Sequence, residues 1–227
     1  MPIPSCAARV PIFQALSDES LAELASTILH HHYAKGEVVL ASGEQLQYLF
    51  VVAVGRLKVT HLSSSGREQI VRILEPGDFT GELALFTPTY QEGDLVAIQD
   101  TDVCQIPSAA VQAVLRRHPS TAFRLVEELA LRLAAAEQFI ADLGLKNVGQ
   151  RLAAELLRLT PEGTASSSEI TLQIPISWAE LAAQLGTTPE SLSRQLKLLT
   201  ANGLIRQVSN RTVIIIDANR LQAYIES

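Results

Sequence analysis

Apolar residues recur along this chain with two different periods, and the switch between them divides it. Between residues 32 and 107 they come in short β-rich runs, "EVVLAS", "YLFVVAV", "RLKVTHL", "EQIVRIL" and "LVAIQDTDVCQI". Gly36, Gly43, Gly55, Gly66 and the "PGD" at 76 to 78 interrupt these runs. Many short strands separated by glycine turns predict an antiparallel roll or barrel. Ahead of it, "LSDESLAELASTIL" predicts a short helix. Ser17 supplies the N-cap oxygen, Asp18 and Glu19 sit in the first turn where the helix dipole favours negative charge, and Phe13 precedes it as a staple.

From residue 108 to 143 glycine is absent and the period lengthens. Ala122, Val126, Leu129, Leu133, Ala136, Ile140 and Leu143 are spaced alternately four and three apart. That spacing draws one narrow stripe along a helix, the pattern of a two-stranded coiled coil. A competing reading lays the stripe on the chain's own roll. Three sustained heptads favour a second copy of the chain, with Val126, Leu129, Leu133, Ala136, Ile140 and Leu143 as the interface. Gly144 then reads as a hinge, "KNVGQRLAAELLRLT" as a further helix and "PEGTASSSE" as a flexible connection.

The densest local signal is "ISWAELAAQLGTTPESLSRQLKLLTANGLI", residues 176 to 205. Ser177 and Glu180 have capping-box spacing, Gly186 stops the helix they begin, and Thr188 caps a second helix with Pro189 at its first position. Two short helices joined by a tight glycine turn make a helix-turn-helix. On the second, Leu192, Leu196 and Leu199 share the face that can bury, which leaves Glu190, Ser193, Arg194 and Lys197 on a polar face, with Thr188 and Ser191 at its start. Arg194 can donate twice to guanine, Glu190 can accept from a cytosine amino group, and Ser193 is small enough to allow close approach. "LIRQVSNRTVIII" reads as a hairpin turning at Ser209 and Asn210, a wing from which Arg206 and Arg211 can clamp phosphates. A merely solvated polar face would explain the second helix alone, but not the caps, the turn and the wing together. Trp178 is read as packing between helices.

Charge changes this picture only by its distribution. The net charge of −6 argues against a polyanionic partner, yet residues 1 to 145 carry 10 basic and 17 acidic side chains, whereas 146 to 227 carry 8 and 7. A nucleic-acid surface therefore belongs to the C-terminal part. With 227 residues, 47% of them apolar, the chain can fill one large core or two ordinary ones. Its longest apolar run, "YLFVVAV", is far short of the ~20 residues a spanning helix needs, and no basic leader with a long apolar core opens the sequence. A cytoplasmic protein without a membrane partner is expected. Two cysteines are too few for a disulfide scaffold or a four-cysteine metal site. No nucleophile-base-acid arrangement and no phosphate-cradling loop of the P-loop type is present, so an enzyme is not expected.

Roll, long helix and winged helix-turn-helix in that order, with "GELAL" at 81 to 85 and the E-x-x-S-R pattern at 190 to 194, resemble the CRP/FNR superfamily of bacterial transcription regulators over essentially the whole chain. The resemblance implies an α+β fold: an N-terminal antiparallel β-roll of the cyclic-nucleotide-binding kind over 1–117, a dimerisation helix and hinge over 118–145, and a winged helix-turn-helix over 146–227. It implies a homodimer on palindromic double-stranded DNA, with RNA polymerase as a further partner. Glu190, Ser193 and Arg194 match the FNR branch, whereas the cyclic-AMP branch has Arg where Pro189 stands here. The expected operator is therefore TTGAT-N4-ATCAA. "LKNVGQR" and the binding helix also resemble the denitrification regulators, which would admit a haem or nitric-oxide signal with His30, His31, His32, His61 or His118 as axial ligand.

The remaining motifs concern the signal. In cyclic-nucleotide-binding relatives the "GEL" segment opens a phosphate cassette that ends in an Arg followed by Ser or Thr. Here "YQEGDL" stands in that place, and Glu92 and Asp94 oppose an anion. Cyclic AMP is therefore not expected, and Gly81, Glu82, Leu83 and Ala84 are read as turn architecture, with Glu82 holding nearby backbone groups, ahead of a working effector pocket. The N-terminal cysteine cluster of an iron-sulfur sensor is missing. Cys6 and Cys104 read as ordinary thiols, with a redox disulfide as the alternative. Finally, His30, His32 and Glu37 resemble the first metal motif of cupin oxygenases, the basis of an enzyme alternative. Its second motif is absent, so solvent-facing histidines are expected.

Overall fold

The computed structural model describes residues 6–64, 66–161 and 169–227, so most of the "PEGTASSSE" connection lies outside the described residues. The chain divides into two compact units, 1–134 and 135–227. The division falls inside one long helix, Pro119–Leu145.

In the first unit, helix α1 (Cys6–Arg9), a 3-10 turn and α2 (Asp18–Ala25) precede eight strands. These are β1 (Leu29–Tyr33), β2 (Val38–Leu40), β3 (Tyr48–Val54), β4 (Leu57–Leu62), β5 (Glu68–Leu74), β6 (Phe79–Thr80), β7 (Asp94–Ala97) and β8 (Thr101–Pro107). They form two four-stranded antiparallel sheets, ordered β1-β8-β3-β6 and β2-β7-β4-β5. The expected roll is thereby found. The run "LVAIQDTDVCQI", expected as one strand, is two, because residues 98 to 100 carry the chain from one sheet to the other.

The continuous apolar character of β3 follows from its position between two cores. Leu49, Val51 and Ala53 face a cluster built from α1, α2 and the following helix α3 (Ser108–Arg117), which also takes Cys6, Phe13, Cys104, Ile106 and Leu125. Phe50 and Val52 face the space between the sheets, with Leu57, Leu74, Leu95 and Val103. A strand buried on both sides cannot show alternation. Ser17 caps α2 as expected, its hydroxyl accepting from Ser20 N at 3.3 Å.

Helix α4 (Pro119–Leu145) begins in this unit, where Thr121 and Leu125 are buried. Gly144 is not a break. The helix runs through it to Leu145, since one glycine costs a helix only about 1 kcal/mol relative to alanine. The next helix starts at Asn147, whose side chain and that of Gln150 form a capping box that opens α5 (Val148–Arg158).

The second unit contains α5, β9 (Ile170–Gln173), α6 (Trp178–Gln184), α7 (Pro189–Ala201), β10 (Ile205–Gln207), β11 (Thr212–Ile215) and α8 (Ala218–Glu226). Its sheet has the order β10-β11-β9, all antiparallel. Leu152, Leu156, Leu181, Leu192, Leu196, Leu199, Val213, Ile215 and Leu221 are buried, the core on which the helix-turn-helix rests. Gly149 lets the Tyr224 hydroxyl and the Gln195 amide of α7 lie close against α5, where a Cβ would make these side-chain ends shift.

Candidate nucleic-acid interface

The interface is built from its helix ends. Ser177 and Glu180 close the expected capping box at the start of α6, with Ser177 N donating to the Glu180 carboxylate at 2.7 Å. At the other end Gly186 adopts φ 66°, Thr187 N donates to Ala182 O at 2.9 Å and Gly186 N to Ala183 O at 3.3 Å. This pair of reversed bonds is a Schellman motif, and only a residue without Cβ enters the left-handed region there at low cost. One residue later Thr188 caps α7, its hydroxyl accepting from Ser191 N at 3.3 Å, with Pro189 at the first helical position. Helix α7 ends in a second Schellman pair at Gly203, φ 65°.

A residue that sequence reasoning overlooked holds the turn. Arg151 of α5 is buried, and its guanidinium donates to Leu185 O at 3.1 Å and to Lys146 O at 2.7 Å. Leu185 is the C-cap of α6, so this cation satisfies a helix-terminal carbonyl in the place where the dipole favours positive charge. Its signal in the sequence was an arginine among the apolar positions of α5.

The positions of α7 divide as its periodicity predicts. Leu192, Leu196 and Leu199 are buried, Glu190, Ser193, Arg194 and Lys197 are exposed, and Ser191 is intermediate. Neither Arg194 nor Lys197 takes part in a salt bridge among the described residues, so both are available to an external acceptor. The Glu190 carboxyl is held below its ordinary value by its own backbone N–H, then by the Thr188 hydroxyl, with Arg194 adding to the effect. It is therefore an anionic acceptor at neutral pH.

The wing is the β10–β11 hairpin, with Val208 N and Ser209 N both donating to Thr212 O. Arg211 is exposed at its tip. Arg206 is also exposed but pairs with Glu169 at 3.0 Å. Such a surface pair is worth about 0–1 kcal/mol, little enough for a phosphate to replace it.

Along α4, which runs through both units, Val126, Leu133, Ile140 and Leu143 lie 43 to 68% exposed on the single chain, and Ala136 is exposed with them. Leu129 alone of the seam packs partly on the roll. Within the first unit the roll therefore leaves Val126 and Leu133 uncovered.

The "GEL" segment differs from expectation in its partners. Gly81 has φ 93°, and a Cβ there would collide with Tyr48 O, consistent with its reading as a required turn. Leu83 is exposed and Ala84 half-buried. Glu82, however, faces two cations rather than backbone groups: its Oε1 is 3.4 Å from Arg132 and 4.0 Å from Arg72. Both guanidiniums donate to Phe79 O, and Arg132 also stacks over the Phe79 ring at 4.1 Å. Burial and then the neighbouring Arg132 lower the pKa of Arg72. Arg132 comes from α4, fifty positions beyond Glu82, and Arg72 from β5, ten positions before it, so neither lies within the cassette itself. Asp94, one of the anions expected to repel a phosphate, accepts instead from Ser42 N at 2.8 Å.

Cys6 and Cys104 are not ordinary thiols. They form a disulfide that ties α1 to β8, with Cα atoms 6.3 Å apart. The His30–His32–Glu37 set of the cupin alternative does not converge. His32 pairs with Asp102 at 2.7 Å, and Glu37 accepts from Ala34 N at 2.6 Å to close a turn. His30 stands instead across the β1–β8 ladder from Cys104.

Comparison with known proteins places both halves. Residues 30–118 match the family described as "Cyclic nucleotide-binding domain", and residues 150–224 match the "Crp-like helix-turn-helix domain". The chain is 33% identical over 220 residues to the "Probable transcriptional regulator flp" of Lacticaseibacillus casei, covering 97% of this chain and 98% of that one. It is 27% identical over 215 residues to the "CRP-like cAMP-activated global transcriptional regulator" of Mycobacterium tuberculosis, covering 94% and 96%. Among solved structures, FixK2 from Bradyrhizobium japonicum superposes with a TM-score of 0.73 at 26% identity, covering 86% of this chain and 96% of that one. No helix among the described residues is long and apolar enough to cross a membrane.

Proposed function

The chain belongs to the CRP/FNR superfamily of transcription regulators, and from that premise we propose that it acts as a homodimer that reads an FNR-type palindrome, TTGAT-N4-ATCAA. The observation that carries the proposal is the exposed edge of α7, on which Glu190, Ser193 and Arg194 stand together beside Lys197. Arg194 donates to guanine O6 and N7, Glu190 accepts from the cytosine amino group, and Ser193 lets the helix approach. Thr188, Ser191, Lys197, Arg206 and Arg211 fix its register on phosphates. The exposed stripe from Val126 to Leu143 supports dimerisation, because apolar surface of that length is covered in a stable protein. Paired recognition helices then lie about one helical turn, ~34 Å, apart, with residues 1–117 as sensor, 118–145 as dimer helix and 146–227 as reader. RNA polymerase is the partner that completes such regulation in the cytoplasm.

For the signal, the Cys6–Cys104 disulfide supports a thiol-disulfide response in the roll over cyclic AMP, haem or a cupin-type metal enzyme. Binding of the purified protein to the palindrome and to a duplex with the guanine of each half-site replaced, each with and without a dithiol reductant, tests both readings. A preference for the palindrome with half-maximal binding altered by reduction is expected. Equal affinity for the two duplexes would refute the operator, and an unchanged curve in reductant would refute the switch.

A further inference from the structure

The position of His30 gives the two cysteines a second chemistry. Its Nδ1 lies 3.4 Å from Cys104 Sγ and 3.9 Å from Cys6 Sγ, and one ligand atom from each of the three residues falls within 4.8 Å of the others. Among the described residues this is the group of histidine, cysteine and carboxylate side chains that comes close enough to share an ion. Both sulfurs are almost wholly buried, whereas His30 is exposed and so leaves one side of the group open to solvent.

The distances suit a tetrahedral ion. With zinc-sulfur bonds of about 2.3 Å and zinc-nitrogen bonds of about 2.0–2.1 Å, the sulfur-nitrogen edge of a tetrahedron is about 3.6 Å, between the two separations seen here. The sulfur-sulfur edge is about 3.8 Å, so the same two side chains cannot hold an ion and be bonded to each other. Two thiolates with one imidazole form a soft donor set that selects zinc-class ions over magnesium or calcium.

We propose that the reduced protein holds one thiophilic divalent ion between Cys6, Cys104 and His30, with solvent in the fourth position, and that the disulfide and the ion are alternative bridges between α1 and β8. The proposal rests on the thiol-disulfide reading only in requiring that the bridge can be opened. A dithiol reductant supplies two electrons and two protons to the Cys6–Cys104 bond and closes to its own cyclic disulfide, leaving two thiols. Uptake of the ion then releases both thiol protons to solvent, giving two thiolate-metal bonds and one imidazole-metal bond. In either state α1 stays fastened to the roll, and the ion protects the thiols from reoxidation.

The test uses the full chain, reduced anaerobically and freed of reductant, and titrated with cobalt(II) as a spectroscopic probe and then with zinc(II) in competition. One equivalent of cobalt per chain with a thiolate-to-cobalt charge-transfer band, bleached by zinc, is the expected result, and the oxidised chain should show neither. His30→Ala, at an exposed position that leaves folding intact, should weaken cobalt binding by at least the ~10–100-fold that follows loss of a group merely orienting a ligand. Cys104→Ala should abolish the band, with circular dichroism confirming its fold. Absence of the band in the reduced wild type, or cobalt affinity unchanged in His30→Ala, overturns the site. Alkylation and mass measurement before reduction separate this from the switch reading. If both thiols are already free the switch reading fails, while the titration still decides the metal site.

Discussion

Arg194 and Arg151 have the same charge and opposite tasks, and their surroundings separate them. Arg194 stands in solvent with no salt bridge among the described residues, whereas Arg151 is buried and donates to Leu185 O and Lys146 O. Arg194→Ala should therefore leave stability unchanged and reduce discrimination at the operator guanine by about 1–3 kcal/mol, roughly 5- to 150-fold, measured by anisotropy on matched and substituted duplexes. Arg151→Met should leave the buried Leu185 carbonyl without this donor at a cost of about 1–3 kcal/mol, visible as an earlier unfolding transition of the C-terminal unit. At the surface, Glu23 accepts two hydrogen bonds from Arg117, and this bonding, followed by the Arg117 charge, lowers its pKa. A carboxyl lowered on folding contributes stability above its unfolded value of about 4.3–4.5 and loses it as pH falls through the folded value. An NMR titration should place Glu23 below 4.5 in the wild type and nearer to it in Arg117→Gln.

Helices α6 and α7 were readable because their ends are marked by residues with one dominant use: Ser177 with Glu180, Gly186, and Thr188 with Pro189. Gly186→Val forces a branched side chain into the left-handed region and should destabilise the turn by more than the ~1 kcal/mol typical of capping changes, with DNA affinity falling alongside. Helix α4 was readable by its heptads, but Gly144 was misread, since the capping box at Asn147 and not the glycine decides where the helix ends. The exposure of Leu133 and Ile140 on the single chain makes the seam directly testable. Leu133→Glu with Ile140→Glu should shift sedimentation from dimer to monomer while leaving the circular dichroism of the chain intact, because neither residue belongs to a core of its own chain.

Viewed as one object, the first unit is fastened by a bridge spanning 98 positions of sequence. Closing a loop of about 100 residues removes up to ~4.7 kcal/mol of chain entropy from the unfolded state. Reduction in the presence of a chelator should therefore lower the urea midpoint of the roll markedly, and Cys6→Ala should lower it whether or not reductant is present. An equal midpoint for oxidised and reduced wild type would contradict the bridge. The same unit gathers Arg72 and Arg132 around Glu82 from two elements outside the "GEL" segment, which is why that segment alone suggested backbone partners for the carboxylate.

Local chemistry marked the helix ends, the glycine turns, the short strands of the roll and the polar edge of α7, because each depends on residues a few positions apart, where the backbone geometry is known in advance. Tertiary folding alone settled which charges meet Glu82, that Arg151 braces the reading turn, and that Cys6, His30 and Cys104 share one point. Arg132 and Glu82, Arg151 and Leu185, and the three members of the Cys6, His30 and Cys104 group lie tens of positions apart, and their approach depends on how sheets and helices stack, which no spacing along the chain records.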